Sequence, residues 1–384
     1  MMETIFWLSL VGTLYSYFIY PLLMWAISCF SNKHQPTFVK DPQATPGQPK
    51  LSLIITVYNE QQRIKQKIEQ SLALHYPRDQ LQIIIASDAS DDRTEEIAKG
   101  YQAQGVEVIR ANDRLGKEHA QKLAIDRATG EIAVFTDVGT QIEPQSLVAL
   151  AAYFNDPEIG AVSSVDRMVS TDGTPMGEGL YVRYEMALRK HESQVSTLVG
   201  LSGSFFAVRR ELCQTWNSQV PSDFNTALTC ARENMRAISA DDVIGIYPDI
   251  QDPEKEYSRK RRTILRGISA LAVSTDLLNF ARFPLFAFQL WSHKLMRWAV
   301  PWFQGSLLLT NVVIAGEHWF YQLTLAGQLV LLISALIGSV LQPKPNVAWL
   351  KIPTFFMQAN IAAAHAFIDY LRGTRAVTWT PSRR

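Results

Sequence analysis

From Ile5 to Phe30 the chain reads IFWLSLVGTLYSYFIYPLLMWAISCF, a run without one charged side chain. Its length exceeds the roughly 20 residues that an α-helix needs to cross a bilayer. A cleaved secretory signal would show a basic start, a shorter apolar core and a small-residue cleavage site. Here the start is Met-Met-Glu, and Tyr and Trp recur through the run. We expect a retained membrane anchor over residues 1–31. Apolar segments return at the other end as WAVPWFQGSLLLTNVVIAG (298–316), FYQLTLAGQLVLLISALIGSVL (320–341) and IPTFFMQANIAAAHAFIDYL (352–371). The first two read as spans. The last carries Gln358, Asn360, His365 and Asp369, so it reads either as a further span or as a helix lying along the interface. The expectation is a multi-pass membrane protein with a large polar insert.

Most charged residues lie between those ends, yet the formal net charge is only +1. That balance gives no sign of a nucleic-acid partner. Lys33 and Lys40 follow the first span, and Lys294 and Arg297 precede the second. By the positive-inside rule these put residues 31–297 in the cytosol, with the chain in the plasma membrane (the inner membrane of a bacterium). One span before the insert and three after it would place the tail outside, although it carries Arg372, Arg375, Arg383 and Arg384. An interfacial or re-entrant C-terminal segment would remove that conflict. Cys29, Cys213 and Cys230 have no metal-ligand spacing, and their odd number argues for reduced thiols.

The organisation reads as an anchor (1–31), a linker rich in Pro and Gln (32–50) and a folded cytosolic domain (51–279). An interfacial helix (280–297), a membrane region of two to three spans (298–371) and a tail (372–384) follow. Within the domain, continuous apolar runs alternate with amphipathic stretches. LSLIITV, LQIIIAS, VEVIR and EIAVFT read as strands, separated by the helical patterns EQQRIKQKIEQSLAL, DRTEEIAKGYQAQ and KEHAQKLAIDRAT. Strands of that kind belong to a parallel sheet covered on both faces. Ligands of such sheets bind beyond the carboxyl ends of the strands.

The residues just after each strand therefore matter most. They are Tyr58, Asn59 and Glu60; Asp88, Ser90, Asp91 and Asp92; Arg114 and Lys117; and Asp137. Asp92 with Glu95 has capping-box spacing, which assigns Asp92 to the start of the next helix. Asp88 stands too early for that task and is freer to meet a ligand. Lys117 reads as a surface lysine or, at its strand-to-helix junction, as a phosphate contact. Neither GxGxxG nor GxxxxGK followed by Ser or Thr occurs in this half, which argues against a nicotinamide enzyme or a P-loop ATPase. His75, His119 and His191 are isolated.

TVYNE, SDASDDRT, RLGK and FTDVGT, in this order and at these intervals, resemble the donor half of a family 2 glycosyltransferase. The resemblance continues through GLSGSFFAVRRE (200–211), VPSDFNTALTCARE (220–233) and EYSRKRRTILRG (256–267), and covers residues 50–300. It implies an α/β GT-A fold, the nucleotide-diphospho-sugar transferase arrangement with a Rossmann-like, mostly parallel sheet, flanked by transmembrane helices. It implies that Glu60 and Asp88 contact the nucleoside, commonly uridine, and that Lys117 contacts the diphosphate. Asp137 matches the first acid of the DxD motif that holds Mg²⁺ or Mn²⁺, and Asp223 matches the catalytic base. Gly203 and Arg209 fall in the acceptor-side segment. Asp223 also reads as a helix N-cap, a duty for which Ser222 competes. Arg259, Arg262 and Arg266 share one helical face, which suits anionic headgroups or, through Arg262 and Arg266, a diphosphate clamp.

The chain departs from the family pattern in places. Gly139 replaces the second acid of DxD, Lys122 stands where Asn is usual, and QxxRW is missing. The last absence weakens a processive reading. The resulting expectation is an inverting transferase that moves a sugar from a nucleotide-sugar, UDP-linked by family habit, to a lipid-linked or polysaccharide acceptor at the membrane. Membrane lipids, a second copy of the chain or other polysaccharide-assembly proteins are the partners this implies, and nucleic acid is not. The alternatives are a processive polysaccharide synthase and a catalytically weak nucleotide-sugar-binding scaffold.

Overall fold

The computed structural model describes residues 1–31, 48–169, 180–248, 253–341 and 347–376. Most of the linker expected at 32–50, and the end of the tail, fall outside the described residues. The chain divides into two compact units. One comprises Met1–Leu23, Gln251–Ser269 and Phe288–Arg375; the other is built on Met24–Ile250 and Ala270–Ala287.

The second unit holds an eight-stranded sheet. Its strands are β1 (Leu51–Val57), β2 (Leu81–Ser87), β3 (Val106–Arg110), β4 (Ile132–Asp137), β5 (Gln141–Ile142), β6 (Ile159–Val169), β7 (Phe205–Arg209) and β8 (Arg236–Pro248). They lie in the order β3-β2-β1-β4-β7-β6-β8-β5. The first four pair in parallel, as their continuous apolar character requires when both faces are covered. Successive side chains alternate between the two faces. Leu53, Ile55 and Val57 join Ile64 and Ile68 in one core, while Ile54, Ile84 and Phe135 join Ala120 and Ala124 in the other. Each such aliphatic side chain contributes about 1.5–3 kcal/mol on burial. Phe135 also stacks on Phe206 and on Trp216, at centroid separations of 5.0 and 5.1 Å.

At β7 the direction reverses. Thr136 pairs with Phe205 and Ile132 with Arg209 in an antiparallel register. The amino end of β7 therefore lies beside the carboxyl end of β4. β6 is antiparallel to β7 and parallel to β8, so its carboxyl end returns to the same edge of the sheet.

The first unit is helical. The Met2–Cys29 and Trp319–Val340 helices are long and apolar enough to cross a membrane. The N-terminal helix packs antiparallel on the one that ends at Ile314: Tyr15 Oη meets Ser292 Oγ at 2.9 Å, and Ser9 Oγ donates to Ser306 Oγ at 3.0 Å. Glu3 accepts from Tyr321 Oη at 3.0 Å just beyond the far end. The interfacial helix expected at 280–297 is not separate. Pro284–Leu290 runs through a π-turn, Trp291–Leu295, into Met296–Ile314. Two polar residues of the last apolar segment pair with another helix. Asp369 accepts from Arg261 Nε and Nη2 at 2.5 and 2.6 Å, and His365 Nδ1 meets Tyr257 Oη at 2.6 Å. The Ala348–Leu371 helix is thereby fastened to the Pro253–Ala272 helix.

Candidate active site

The site forms where the parallel strands end. Two of the turns there put ordinary residues in the left-handed region, Asn59 at φ 53° and Ala89 at φ 57°. Such conformations cost of order 1–3 kcal/mol and persist where the surroundings fix them. Asn59 Oδ1 accepts from the Asp91 amide at 3.0 Å, tying the β1 turn to the β2 turn. The β3 turn joins them through Arg114, whose guanidinium lies 3.9 Å from the centre of the Tyr58 ring. Asp88 is fully buried, and its Oδ1 accepts from the amides of Leu115 and Gly116 at 3.0 Å. Burial pushes its carboxyl above the ordinary aspartate range, although those amides pull the other way. Asp88 thus holds the turn that presents Lys117 at the head of its helix.

Lys117 is the hub. Its Nζ lies 2.6 Å from Asp137 Oδ1 and donates to the Gly203 carbonyl at 2.9 Å. Burial would lower this ammonium, but the Asp137 carboxylate outweighs that and carries it above the usual lysine value. Gly203 belongs to the loop before β7, and its neighbour Ser204 accepts from the Asp137 amide at 3.1 Å. A Cβ built on Gly203 would stand 3.0 Å from Asp223 Oδ2, so the loop lies close against that carboxylate and a larger residue would have to displace it. Asp223 sits in the first turn of Ser222–Arg232, whose N-cap is Pro221 and which has no side-chain cap. The capping duty open to Asp223 and Ser222 in the sequence is taken by neither. Asp137, Lys117, Gly203 and Asp223 come together in one place.

On the other side of Asp137, Glu60 is buried and accepts from Arg63 Nε and Nη2 at 2.8 Å each. Burial raises the Glu60 carboxyl, with Arg63 pulling it down and Asp137 adding to the rise. Four residues along the same helical face, Lys67 is buried and bonds Thr136 Oγ1 at 3.2 Å and the Thr140 carbonyl. Burial lowers its ammonium to about 7. Arg63 and Lys67 were not candidates from the sequence, where they pass for the solvated face of a helix. Their i, i+4 spacing beside the Asp137 strand was the available signal.

Two further acids support the site. Glu118 is buried; its carbonyl accepts from Trp216 Nε1 at 3.0 Å and its Oε1 from the Ser222 amide at 3.4 Å. It therefore links the Lys117 turn to the start of the Asp223 helix. Asp166, late in β6, accepts from Ser202 Oγ at 2.6 and 2.8 Å, from Ser204 Oγ at 3.0 Å and from Ser164 Oγ at 3.2 Å. Burial raises its carboxyl against the pull of Arg189 and these hydroxyls. Ser202 and Ser204 flank Gly203, so Asp166 fixes the loop that both Lys117 and Asp137 touch.

Another expected residue of the sheet unit lies elsewhere. Arg209 pairs with the first residue of β4, at the opposite end of the strands from Asp137. Its guanidinium donates to the carbonyls of Ile159, Phe154 and Asp156 at 2.8–2.9 Å. The acceptor-side expectation for Arg209 is corrected: because β7 is antiparallel, its amino end and not its carboxyl end reaches the site. The capping box is not formed either. Asp92 bonds the Thr94 and Gln61 amides, while Glu95 turns to Ser87 and Arg110. Arg262 and Arg266 lie on the Pro253–Ala272 helix of the helical unit, and Arg259 pairs with Glu256 at 2.8 Å.

Among the described residues, no group of three or more His, Cys, Asp or Glu side chains is placed to hold a metal ion. Asp137, with its side chain 45% exposed, offers a carboxylate at the end of β4. One carboxylate suits an ion that takes its remaining oxygens from water and substrate phosphates, as Mg²⁺ commonly does. The residues fit a divalent ion on those terms.

A mixed sheet of this order, with an acid closing β4 and a second acid across the β7 loop, is the GT-A fold. The fold is shared with the mannosyltransferase PcManGT of Pyrobaculum calidifontis, solved with GDP-Man and Mn²⁺, at a TM-score of 0.72 over 98% of this chain and 100% of that one, with 22% identity. Residues 52–216 match the family described as Glycosyl transferase family 2, and the chain carries a family 2 glycosyltransferase domain. Among curated relatives, the probable glycosyltransferase YdaM of Bacillus subtilis (strain 168) is 24% identical over 200 residues, 49% of this chain and 47% of that protein. The beta-monoglucosyldiacylglycerol synthase of Synechocystis sp. is 26% identical over 202 residues, 49% of this chain and 41% of that protein. The matched region thus spans about half the length of these relatives or less.

Proposed function

We propose that the protein is a membrane-associated inverting glycosyltransferase that moves a sugar from a nucleotide-sugar to a lipid-linked or polysaccharide acceptor. The observation that carries this reading is the junction at Lys117. One ammonium joins the strand-end acid Asp137 to the Gly203 loop, and the uncapped Asp223 carboxylate lies against that same loop. Donor-side charge and a candidate base thus share a single edge of the sheet.

In this reading Asp223 accepts the proton of the acceptor hydroxyl as its oxygen attacks the anomeric carbon. The bond to the nucleoside diphosphate breaks on the opposite face. General-base assistance of this kind is worth about 10²–10⁴ in rate. Lys117 meets charge on the departing diphosphate, Asp88 holds the turn that aims Lys117, and Glu60 and Asp88 are assigned to the nucleoside by resemblance alone. Asp137, together with the donor phosphates, would hold Mg²⁺ or Mn²⁺, which would supply further positive charge to the leaving group. Arg262 and Arg266 are assigned to the diphosphate by resemblance alone. The donor base is taken as uracil on family habit.

Membrane placement rests on the Met2–Cys29 and Trp319–Val340 helices. The bonds from Arg261 to Asp369 and Tyr257 to His365 support a last helix lying at the cytosolic interface. A tail held on that side agrees with its arginines. Transfer of one or a few sugars is favoured over processive polymerisation because the QxxRW motif is missing.

The test is incubation of membranes containing the protein with labelled UDP- and GDP-sugars and acceptor lipids, with and without EDTA. We expect label to pass from at least one donor to lipid, and more slowly in EDTA. No transfer and no donor hydrolysis across the panel would overturn the enzyme reading. Transfer indifferent to EDTA would remove the metal from Asp137.

A further inference from the structure

The family pattern has a second acid at position 139, and this chain has glycine. A Cβ built there would meet one heavy atom within 4 Å among the described residues, Arg63 Nη1 at 3.5 Å. Arg63 spends Nε and Nη2 on the Glu60 carboxylate at 2.8 Å, which fixes the plane of the guanidinium and turns Nη1 toward the open space. The side chain is 31% exposed, so a ligand can reach it. Lys67, four residues on, lies beneath the same loop and bonds Thr136 and Thr140 on either side of Asp137. Where a metal clamp would close with a second negative charge, this site presents positive charge.

We propose that Arg63 binds the donor diphosphate through Nη1. Building on the glycosyltransferase reading above, Arg63 and Lys117 grip the nucleoside diphosphate directly, in addition to any ion on Asp137. An arginine fork already held by a carboxylate is a pre-organised phosphate donor. Two consequences separate this protein from one with a complete acid pair. Nucleotide binding persists when divalent metal is removed, even though transfer slows. The strength of that metal-free binding depends on Arg63.

The experiment is calorimetric titration of the purified full-length protein with UDP, GDP, CDP and dTDP, in Mg²⁺ and in excess EDTA. For the nucleotide that binds, the wild-type affinity should fall less than about tenfold in EDTA, and Arg63→Gln should weaken the EDTA affinity by about tenfold or more, the effect of one charge-assisted hydrogen bond. Gly139→Asp puts a carboxylate beside the guanidinium and supplies a second ligand. It should make binding strictly metal-dependent, and it keeps the proposal testable if Arg63→Gln does not fold. Wild-type binding abolished by EDTA, Arg63→Gln binding like wild type in EDTA, or Gly139→Asp with an unchanged EDTA response would each overturn the proposal. If no nucleoside diphosphate binds the wild type even in Mg²⁺, the donor-site reading fails as well. Strictly metal-dependent binding defeats the Arg63 proposal alone.

Discussion

Lys67 carries a cost that the rest of the site sustains. Its ammonium is buried and lowered from 10.5 to about 7, with Asp137 offsetting part of the burial. Between those values the unfolded chain holds a proton that the folded chain has released. Stability therefore rises with pH across that window, and the penalty is fully present below about pH 7. Lys67→Met removes the slope while keeping most of the volume. Thermal midpoints of wild type and variant, compared from about pH 7 to 9, should shift in favour of the wild type as pH rises. Parallel curves would show that Lys67 is protonated throughout. Lys67 sits under the Asp137 loop, bonded to Thr136 and Thr140 on either side of it.

The loop between Gly200 and β7 joins the elements of the site. Three serine hydroxyls hold it and its surroundings to Asp166, and its carbonyls take Lys117 Nζ and the Asp137 amide. Asp166→Ala removes the acceptor for these hydroxyls without touching Asp137 or Asp223. Turnover should fall by about 10-fold or more with the donor affinity changed much less, since displacement of about 1 Å can cost 10²-fold in rate. Equal loss of both would mark Asp166 as a general structural residue. The strand ends themselves were legible, because continuous apolar runs recorded β1 to β4 almost to the residue: Leu51–Val57, Leu81–Ser87 and Val106–Arg110 are the expected strands, and β4 differs by one position. The direction of β7 was not. FFAVR reads alike in either direction, so the acceptor-side segment that the resemblance implied carried Arg209 with it although the site lay at the other end of that strand. Asp166 was invisible for a related reason, since its partners Ser202 and Ser204 stand 36 and 38 residues away. Arg63 shows the same limit: nothing in NEQQRI states that the guanidinium faces a glycine on another strand end.

For the whole molecule, the sequence left one conflict, an arginine-bearing tail that four spans would carry outside. The last helix is fastened by Asp369 and His365 to Arg261 and Tyr257, on the helix that starts soon after β8 ends. A last helix lying at the cytosolic face follows from our reading. In sealed inverted membrane vesicles, which expose the cytosolic face, a cysteine introduced at Gly373 should react with an impermeant maleimide as readily as one at Asp79 of the sheet unit. Protection of position 373 with labelling of position 79 would put the tail across the bilayer. Asp369 and His365, two of the polar residues that made this segment ambiguous in the sequence, are thus side chains with partners, which hydropathy alone does not register.

The central claim is that Asp223 is the base of a sugar transfer for which Asp137, Lys117 and their neighbours hold the donor. Its most direct measurement is the Asp223→Asn variant, assayed for transfer and for nucleotide affinity in the same preparation. The account predicts a fall in turnover of about 10²–10⁴ with nucleotide affinity within about threefold of wild type. Turnover retained at the wild-type level would contradict it.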